Sequence, residues 1–335
     1  MTGGPWLPAE DAAHRRTWMC WPSTEAIYGR TQAYFEAVQE NLGRLAGTIA
    51  EREPVTLLAA KDQHELAARL CGPKVELLDA ATDDMWARDT GPVFIKTAEG
   101  TSAAIDFNFN GWGGKERHSL DKGVAKAICG HLGFTPESTR LVGEGGGLEY
   151  DGDGTLLLAE SCWVNDNRNP GMTRDDIEAE LKRLLGVEVV IWVPGVRDQD
   201  DTDGHIDGSF RFVRPGLVIA SQISDRQTDW AEAEVTAKAI LARAKDARGR
   251  SFEVVDIPEA ENFRSSDPNF FPGYANYYVG NGALYTPQFG DATTDAFAQE
   301  TFAKLFADRE IVALNVDRIY ENGGGMHCVT QQEPA

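Results

Sequence analysis

The chain has 335 residues, of which 42% are hydrophobic and 25% charged, a composition typical of a globular protein that can bury a full core. Its 32 basic and 53 acidic residues give a formal net charge of −21, which argues against nucleic acid or an anionic membrane surface as partner and favours cationic ligands. The sequence contains neither a secretory signal nor a membrane span, and its five scattered cysteines form no C-x-x-C pair, so we expect a cytoplasmic protein with reduced thiols.

Apolar residues spaced three and four apart predict helices at five places along the chain. In chain order these are TQAYFEAVQENLGRLAGTIAE, SLDKGVAKAICGHLG, TRDDIEAELKRLLG, DWAEAEVTAKAILARAKD and DAFAQETFAKLFAD. The second and third end on Gly133 and Gly186, as helix C termini often do. Short apolar runs between the helices predict strands, so the fold class is mixed α/β. These runs are PVTLLAA, VELLDA, GPVFI, AAIDFNF, TLLLAES, EVVIWVP, SFRFV, LVIASQ, FEVVDIP, YANYYV, ALYTP and IVALNV.

The order of these elements repeats along the chain. From Glu144 onward, a hairpin, a helix and a strand follow one another three times, and the earlier elements supply two further groups. We count five units of roughly 55 to 70 residues, a period that suggests repetition around an axis.

In such an arrangement the equivalent strand ends meet at the centre. Residues between a strand and the next hairpin should therefore converge on one pocket, although they are far apart in sequence. Four of these junctions are rich in glycine or polar residues: DDMWARDTGP, VGEGGGLE, DTDGHIDGS and ENGGGMHC. The candidate site residues they carry are Asp89, Glu144, His205, Asp207 and Cys328, with Trp86 beside the first.

This set combines a nucleophile, an acid or base, and carboxylates. A thiol attacks only as the thiolate, and its ordinary pKa near 8.5 must fall or be matched by a nearby cation. Surplus carboxylates oppose that ionisation, because like charges raise the pKa of a cysteine. The conflict disappears if the substrate is a guanidinium, whose fork of N–H donors matches paired carboxylates and which keeps its charge at neutral pH. The residues therefore indicate attack on a guanidinium carbon.

Each residue taken alone also has an ordinary structural explanation. Asp89 could pair with Arg88 or cap a turn, and Glu144 could belong to a glycine-rich loop. The H-x-D of His205 and Asp207 could begin a metal site. The other cysteines lack a histidine and acid nearby and are expected to pack as small apolar side chains; they are Cys20, Cys71, Cys129 and Cys162.

Several segments together resemble the agmatine deiminase family of the guanidino-group modifying enzymes. In chain order they are DDMWARDTGP, EGGG, NRNP, DDTDGHID, YANYYVGNGALYTPQFGD and GGGMHCVTQQEP. The resemblance covers nearly the whole chain, from WMCWPS to the last residues. It implies a single domain over residues 1–335, a five-unit α/β-propeller (pentein) with pseudo-fivefold symmetry. It also implies hydrolysis of agmatine to N-carbamoylputrescine and ammonia, without metal or organic cofactor.

The resemblance also implies roles for the candidate residues. Cys328 corresponds to the nucleophile that forms a covalent amidino-thioether. His205 corresponds to the general acid that protonates departing ammonia and then activates water as a base. Glu144 corresponds to the glutamate that orients His205 and the substrate nitrogen. The guanidinium-binding carboxylates correspond to Asp89 and Asp207, and an aromatic wall of the pocket to Trp86.

The chain departs from the family pattern near the pocket. Many members carry Asn and Ile where this sequence has Gly325 and Met326, and larger residues are common at Gly208 and Ser209. Agmatine is therefore the first choice among several small guanidines, with arginine, a guanidino acid, a biosynthetic intermediate and peptidylarginine as alternatives. A carboxylate tail would need an additional cation in the pocket, and the junctions offer Arg88 alone, which favours an amine or neutral tail.

Two alternatives come from other classes: a metal-dependent hydrolase built on His205 and Asp207, and a catalytically silent polyamine-binding module. A homo-oligomer is compatible with the sequence. In the C-terminal GGGMHC, we expect glycines to turn the backbone into the pocket and deliver Cys328. We expect VTQQ to complete a strand of the first unit, and His327 to be structural.

Overall fold

The computed structural model describes residues 4–22 and 30–335. Within these ranges the strands form five small sheets, one for each predicted unit. In each sheet two strands pair antiparallel, and a helical connection leads from the second to a parallel neighbour. The five repeats predicted from the order of elements are thus present.

The first two units cover the chain from His14 to Ser138. Unit I comprises β1 (His14–Cys20), α1 (Gln32–Ile49), β2 (Val55–Ala59), α2 (His64–Cys71) and β3 (Val75–Asp79). Unit II comprises α3 (Ala87–Thr90), β4 (Val93–Lys96), β5 (Ser102–Asp106), α4 (Gly111–Gly114), α5 (Val124–His131) and β6 (Glu137–Ser138).

The remaining units follow the same plan. Unit III comprises β7 (Glu149–Tyr150), β8 (Thr155–Ala159), α6 (Glu160–Trp163), α7 (Arg174–Leu185) and β9 (Val189–Val193). Unit IV comprises β10 (Phe210–Arg214), β11 (Leu217–Gln222), α8 (Asp229–Leu241) and β12 (Glu253–Pro258). Unit V comprises β13 (Tyr278–Gly280), β14 (Ala283–Pro287), α9 (Ala292–Leu305), β15 (Glu310–Leu314) and α10 (Asp317–Tyr320). The last strand is β16 (Gln331–Pro334), and short 3₁₀ turns cover Lys61–Gln63, Asp121–Gly123, Gly145–Gly147 and Ile206–Gly208.

The predicted helices correspond to α1, α5, α7, α8 and α9, with shifted ends. The sequence signals at α7 act as expected: Thr173 and Asp176 form a reciprocal capping box, and Gly186 ends the helix in the left-handed conformation with φ +66°. α5 is shorter than predicted, because a 3₁₀ turn precedes it and it ends before Gly133. Helix α2 and strand β1 were not predicted; α2 has only eight residues, and five of the seven residues of β1 are buried, so it lacks polar alternation.

The C-terminal strand closes the ring of units. β16 runs antiparallel to β1, with His14 opposite Pro334 and Trp18 opposite Gln331. It thus takes the place that the first hairpin strand holds in the other four sheets. The predicted pairing of the VTQQ segment with the first unit is confirmed. The strand itself begins at Gln331, after a turn that contains Thr330.

The core lies on both faces of the central strands. All residues of β8 are buried, and they alternate between two apolar clusters. Leu156 and Leu158 pack with the buried face of α7, whereas Leu157 packs with Phe210 and Leu241 of unit IV. Each sheet is therefore a layer between its own helix and the neighbouring unit, which explains the continuous apolar runs of its middle strand.

The helices in residues 4–22 and 30–335 include none with the length and apolar character needed to cross a bilayer.

Candidate active site

Three of the predicted site residues meet around Gly146, in the 3₁₀ turn that follows Glu144. A Cβ atom built on Gly146 would lie 2.7 Å from His205 Nδ1, 2.8 Å from Asp89 Oδ1 and 3.1 Å from Asp207 Oδ2. These side chains come from the junctions of different units. The predicted convergence on one pocket is therefore seen, and a glycine is required where the three groups approach the backbone.

Cys328 is the half-buried cysteine of the chain, whereas the other four, all within the described residues, are buried as expected. Its Sγ lies 3.2 Å from Asn276 Nδ2 and 3.5 Å from Asp207 Oδ2. A Cβ on Gly324 would lie 3.2 Å from this sulfur and 2.6 Å from the ring of Trp86. Gly324 thus allows Trp86 and the thiol to approach the same point of the backbone.

His205 lies between two carboxylates. Its Nε2 is 3.3 Å from Glu144 Oε2, and its Nδ1 is 3.6 Å from Asp89 Oδ2. Burial alone would lower the pKa of His205, but Asp89, Glu144 and Asp207 outweigh it and raise the pKa to about 9. His205 is therefore protonated at neutral pH and can donate a proton.

Glu144 is held in place by Arg168, whose Nε donates to Glu144 Oε1 at 2.9 Å and whose Nη1 donates to Asp203 Oδ2 at 2.6 Å. Burial acts to raise the pKa of Glu144, but His205 and Arg168 bring it below its ordinary value. Glu144 is therefore an ionised acceptor for His205.

Asp89 accepts two fixed N–H donors. Gly146 N donates to its Oδ1 at 3.0 Å, and Trp112 Nε1 donates to its Oδ2 at 2.9 Å. Trp112 adopts a left-handed backbone with φ +53°, and the side chain of Asn110 caps this tight turn by accepting from Gly113 N at 2.8 Å. The carboxylate is thus oriented before any ligand binds, while burial raises its pKa.

Asp207 contacts both residues of the His-Cys pair, since its Oδ2 is 2.7 Å from His327 Nδ1 as well as 3.5 Å from Cys328 Sγ. Burial acts to raise the pKa of Asp207, but His327 and His205 bring it below its ordinary value. Burial, with Asp207 and Asp89, raises the pKa of the Cys328 thiol well above its usual range. Without a bound cation Cys328 is therefore a thiol.

Three further residues of the site were not singled out from sequence: Asn276, which touches the thiol, Arg168, and Trp112. The first two lie in the quoted segments YANYYV and NRNP, so membership in a motif was the available signal. Arg88, considered as a partner for Asp89, is instead buried and donates from Nη1 to Glu10 Oε1 at 3.1 Å. A pairing with Asp89 is therefore not its role.

No group of three histidine, cysteine or acidic side chains in the described part of the chain is arranged to hold a metal ion.

A ring of five α/β units with a cysteine, a histidine and carboxylates at its junctions is the architecture of the penteins. Comparison with known proteins agrees. The Porphyromonas-type peptidyl-arginine deiminase family matches residues 6–334. The agmatine deiminase of Medicago truncatula is 36% identical over 98% of this chain and 96% of its own, and that of Stutzerimonas stutzeri is 34% identical over 99% and 96%. The solved agmatine deiminase of Enterococcus faecalis superposes with a TM-score of 0.89 and 28% identity, covering 99% of this chain and 96% of its own.

The protein is therefore a pentein hydrolase that acts on C–N bonds of guanidino compounds. Within that class it belongs to the Porphyromonas-type peptidyl-arginine deiminase family, together with the agmatine deiminases that it resembles along its length. The predicted fold class and family are confirmed.

Proposed function

We propose that the protein hydrolyses agmatine to N-carbamoylputrescine and ammonia through a covalent amidino-cysteine intermediate. The observation that carries the proposal is the half-buried thiol of Cys328, 3.5 Å from Asp207, in a pocket where Asp89 and a protonated His205 also lie. A nucleophile surrounded by carboxylates is suited to a cationic electrophile.

Binding prepares the nucleophile. Asp89 and Asp207 accept the guanidinium N–H groups, with Trp86 against the planar cation. Burial and these two carboxylates raise the pKa of Cys328. A bound cation offsets the carboxylates and favours the thiolate, and the thiol proton passes to solvent. Substrate thus promotes ionisation of the group that attacks it.

The two half-reactions use His205 in opposite directions. Cys328 Sγ bonds to the guanidinium carbon, and one C–N bond breaks as His205 gives its proton to the departing nitrogen, which leaves as ammonia. His205 then takes a proton from water as the water oxygen adds to the amidino carbon. Breaking the C–S bond releases the ureido product and restores the cysteine. Glu144 keeps the imidazole in place for both transfers.

The charges around the pocket support a substrate with an amine tail. The buried cations nearby already pair with carboxylates of the protein: Arg88 with Glu10, Arg168 with Glu144 and Asp203, and Arg211 with Glu10 and Glu149. A free α-carboxylate, as in arginine, would compete for cations that are already paired. The net charge of −21 also favours a dication.

An ammonia-release screen tests the proposal with agmatine, arginine, 4-guanidinobutyrate and a guanidine-bearing peptide. Agmatine should turn over fastest, and Cys328→Ser should release no ammonia while keeping the fold, checked by circular dichroism. Turnover of none of the four by folded wild-type protein would overturn the deiminase assignment. Preference for arginine or the peptide would replace agmatine with that substrate.

Two further measurements distinguish the proposed deiminase from the alternatives that belong to other classes of protein. A metal-dependent hydrolase would lose activity with chelator and keep it after alkylation of Cys328, and we expect the reverse. A polyamine-binding module would bind agmatine without releasing ammonia. The single domain over residues 1–335, the cytoplasmic location and a homo-oligomeric state stay predictions.

A further inference from the structure

We infer that Glu10 and His327 form a positioning pair that holds Asp207 and offsets its charge, and thereby sets the reactivity of Cys328. The inference deepens the proposed function and rests on it. Neither Glu10 nor His327 needs to touch substrate for this role.

The geometry of His327 is the first observation. The side chain is fully buried, and its two ring nitrogens face two different carboxylates. Nδ1 lies 2.7 Å from Asp207 Oδ2, and Nε2 lies 2.9 and 3.1 Å from the two oxygens of Glu10. Carboxylate oxygens accept hydrogen bonds, so both ring nitrogens must donate, and the ring is an imidazolium.

The second observation is the set of cations around Glu10. Arg88 Nη1 donates to its Oε1 at 3.1 Å, and Arg211 Nη2 donates to its Oε2. Arg211 also donates to Glu149 Oε2 at 2.9 Å, and Arg88 Nε lies 3.4 Å from the carbonyl oxygen of His327. The charge of Glu10 therefore balances the positive charge of the two arginines beside His327.

This arrangement reaches the nucleophile through a single oxygen. Asp207 Oδ2 accepts from His327 and also lies 3.5 Å from Cys328 Sγ. An imidazolium on one side of this oxygen weakens its repulsion of a thiolate on the other. If Glu10 loses its charge, Arg88 is left without its carboxylate and Arg211 keeps only Glu149, so the positive charge beside the His327 ring is no longer balanced. Asp207 is then held less firmly, and its negative charge is offset less by the His327 ring.

The test compares Glu10→Gln with Glu10→Asp, which keeps the charge. We measure kcat and KM for agmatine and, without substrate, the pH dependence of iodoacetamide alkylation at Cys328, since the other four cysteines, all in described parts of the chain, are buried. In Glu10→Gln the alkylation midpoint should rise by about one pH unit, equivalent to about tenfold less thiolate at a given pH. Its kcat should fall about tenfold with KM changed less than about threefold, and Glu10→Asp should recover part of both.

Asp246→Asn is the matched control, because Asp246 is a buried carboxylate that pairs with Arg250 Nε in the turn before β12, outside the candidate site. It should leave the alkylation profile unchanged. An unchanged profile in Glu10→Gln, or an equal shift in Asp246→Asn, overturns the inference. If Glu10→Gln does not fold, His327→Gln is measured with the same expected shift. The alkylation result is independent of turnover, so failure of the proposed function and failure of the positioning pair are distinguishable.

Discussion

Asp89 acts on both the nucleophile and the acid of the proposed reaction. Its charge raises the pKa of the Cys328 thiol and also the pKa of His205. The same carboxylate is a proposed guanidinium ligand. Removing its charge should therefore make the free thiol more reactive and the enzyme less active, two effects that general damage to the fold would not combine.

We expect Asp89→Asn to be alkylated faster than wild type at pH 8 without substrate, because one of the two carboxylates opposing the thiolate is gone. With agmatine its kcat/KM should fall about tenfold to hundredfold, since a charge-assisted hydrogen bond contributes about 1.5–3 kcal/mol. The alkaline limb of kcat/KM should move to lower pH: activity is lost as pH rises through the pKa of His205, and that pKa falls without Asp89. Iodoacetamide inactivation and steady-state ammonia release measure these effects.

The control for this prediction is Asp246→Asn. Asp246 is likewise buried and accepts backbone N–H groups of Arg248 and Arg250, but it lies in the turn before β12. Its substitution should leave the alkylation rate unchanged. Slower alkylation of Asp89→Asn would show that Asp89 does not act on the thiol through its charge.

At the residue scale, the sequence was informative where reactive side chains stand at glycine-rich junctions. Asp89, His205 and Cys328 could be found that way because their chemistry is distinctive. Asn276 could not, because an amide is an ordinary residue and its contact with Cys328 spans 52 positions. Glu10 lies 317 positions from His327, in a segment with no motif, so only the folded ring shows the contact.

The Gly145–Gly147 turn is the element at which side chains of two other junctions meet, Asp89 from one and His205 and Asp207 from the other. The turn matters because side chains approach its backbone closely: a Cβ on Gly146 would be under 3.0 Å from both His205 and Asp89. The backbone N–H of the same residue also orients Asp89. A methyl group here must displace His205, Asp89 or both.

We expect Gly146→Ala to lose at least about a hundredfold in kcat/KM, because a shift of about 1 Å in a catalytic group can cost that much. Thermal unfolding should show destabilisation of about 1–3 kcal/mol from overpacking. Gly130→Ala is the matched control: Gly130 lies in α5, and apart from its chain neighbours and the backbone of its own helix no atom of the described residues lies within 4 Å of an added Cβ. That variant should keep wild-type activity, and wild-type activity in Gly146→Ala would refute the close-approach argument.

At the element scale, prediction succeeded where the cause is local. The α7 helix was found because its apolar spacing, its cap and Gly186 all act within one segment. YANYYV was expected to be a strand, yet only β13, from Tyr278 onward, is one. Tyr274 and Asn276 bond instead to Asp295 and to the Cys328 segment, and such distant partners leave no periodicity in the sequence.

At the scale of the whole molecule, β16 forms hydrogen bonds with three units. Its backbone pairs with β1 of unit I, and Trp18 Nε1 donates to the buried Glu333 at 3.1 Å. Gln331 Nε2 donates to Pro92 O at 2.9 Å in unit II, and Gln332 Nε2 donates to the hydroxyl of Tyr150 at 2.8 Å in unit III. One C-terminal segment therefore both closes the ring and carries the proposed nucleophile. The repeat number was predictable from element order, whereas these cross-unit hydrogen bonds depend on the closed ring.

Deleting residues 331–335 leaves Cys328 in the chain and removes the closing strand, so any loss of activity reports on closure and not on a missing thiol. We expect ammonia release to be abolished and the amides of β1 to lose protection in hydrogen exchange, because β1 then becomes an unpaired edge. Deleting Ala335 alone removes one backbone hydrogen bond, to Ala13 O at 2.8 Å, and should cost about 1 kcal/mol with activity retained. If the longer deletion keeps both protection of β1 and turnover, the ring does not depend on β16, and the strand would be an addition to a unit that is stable without it.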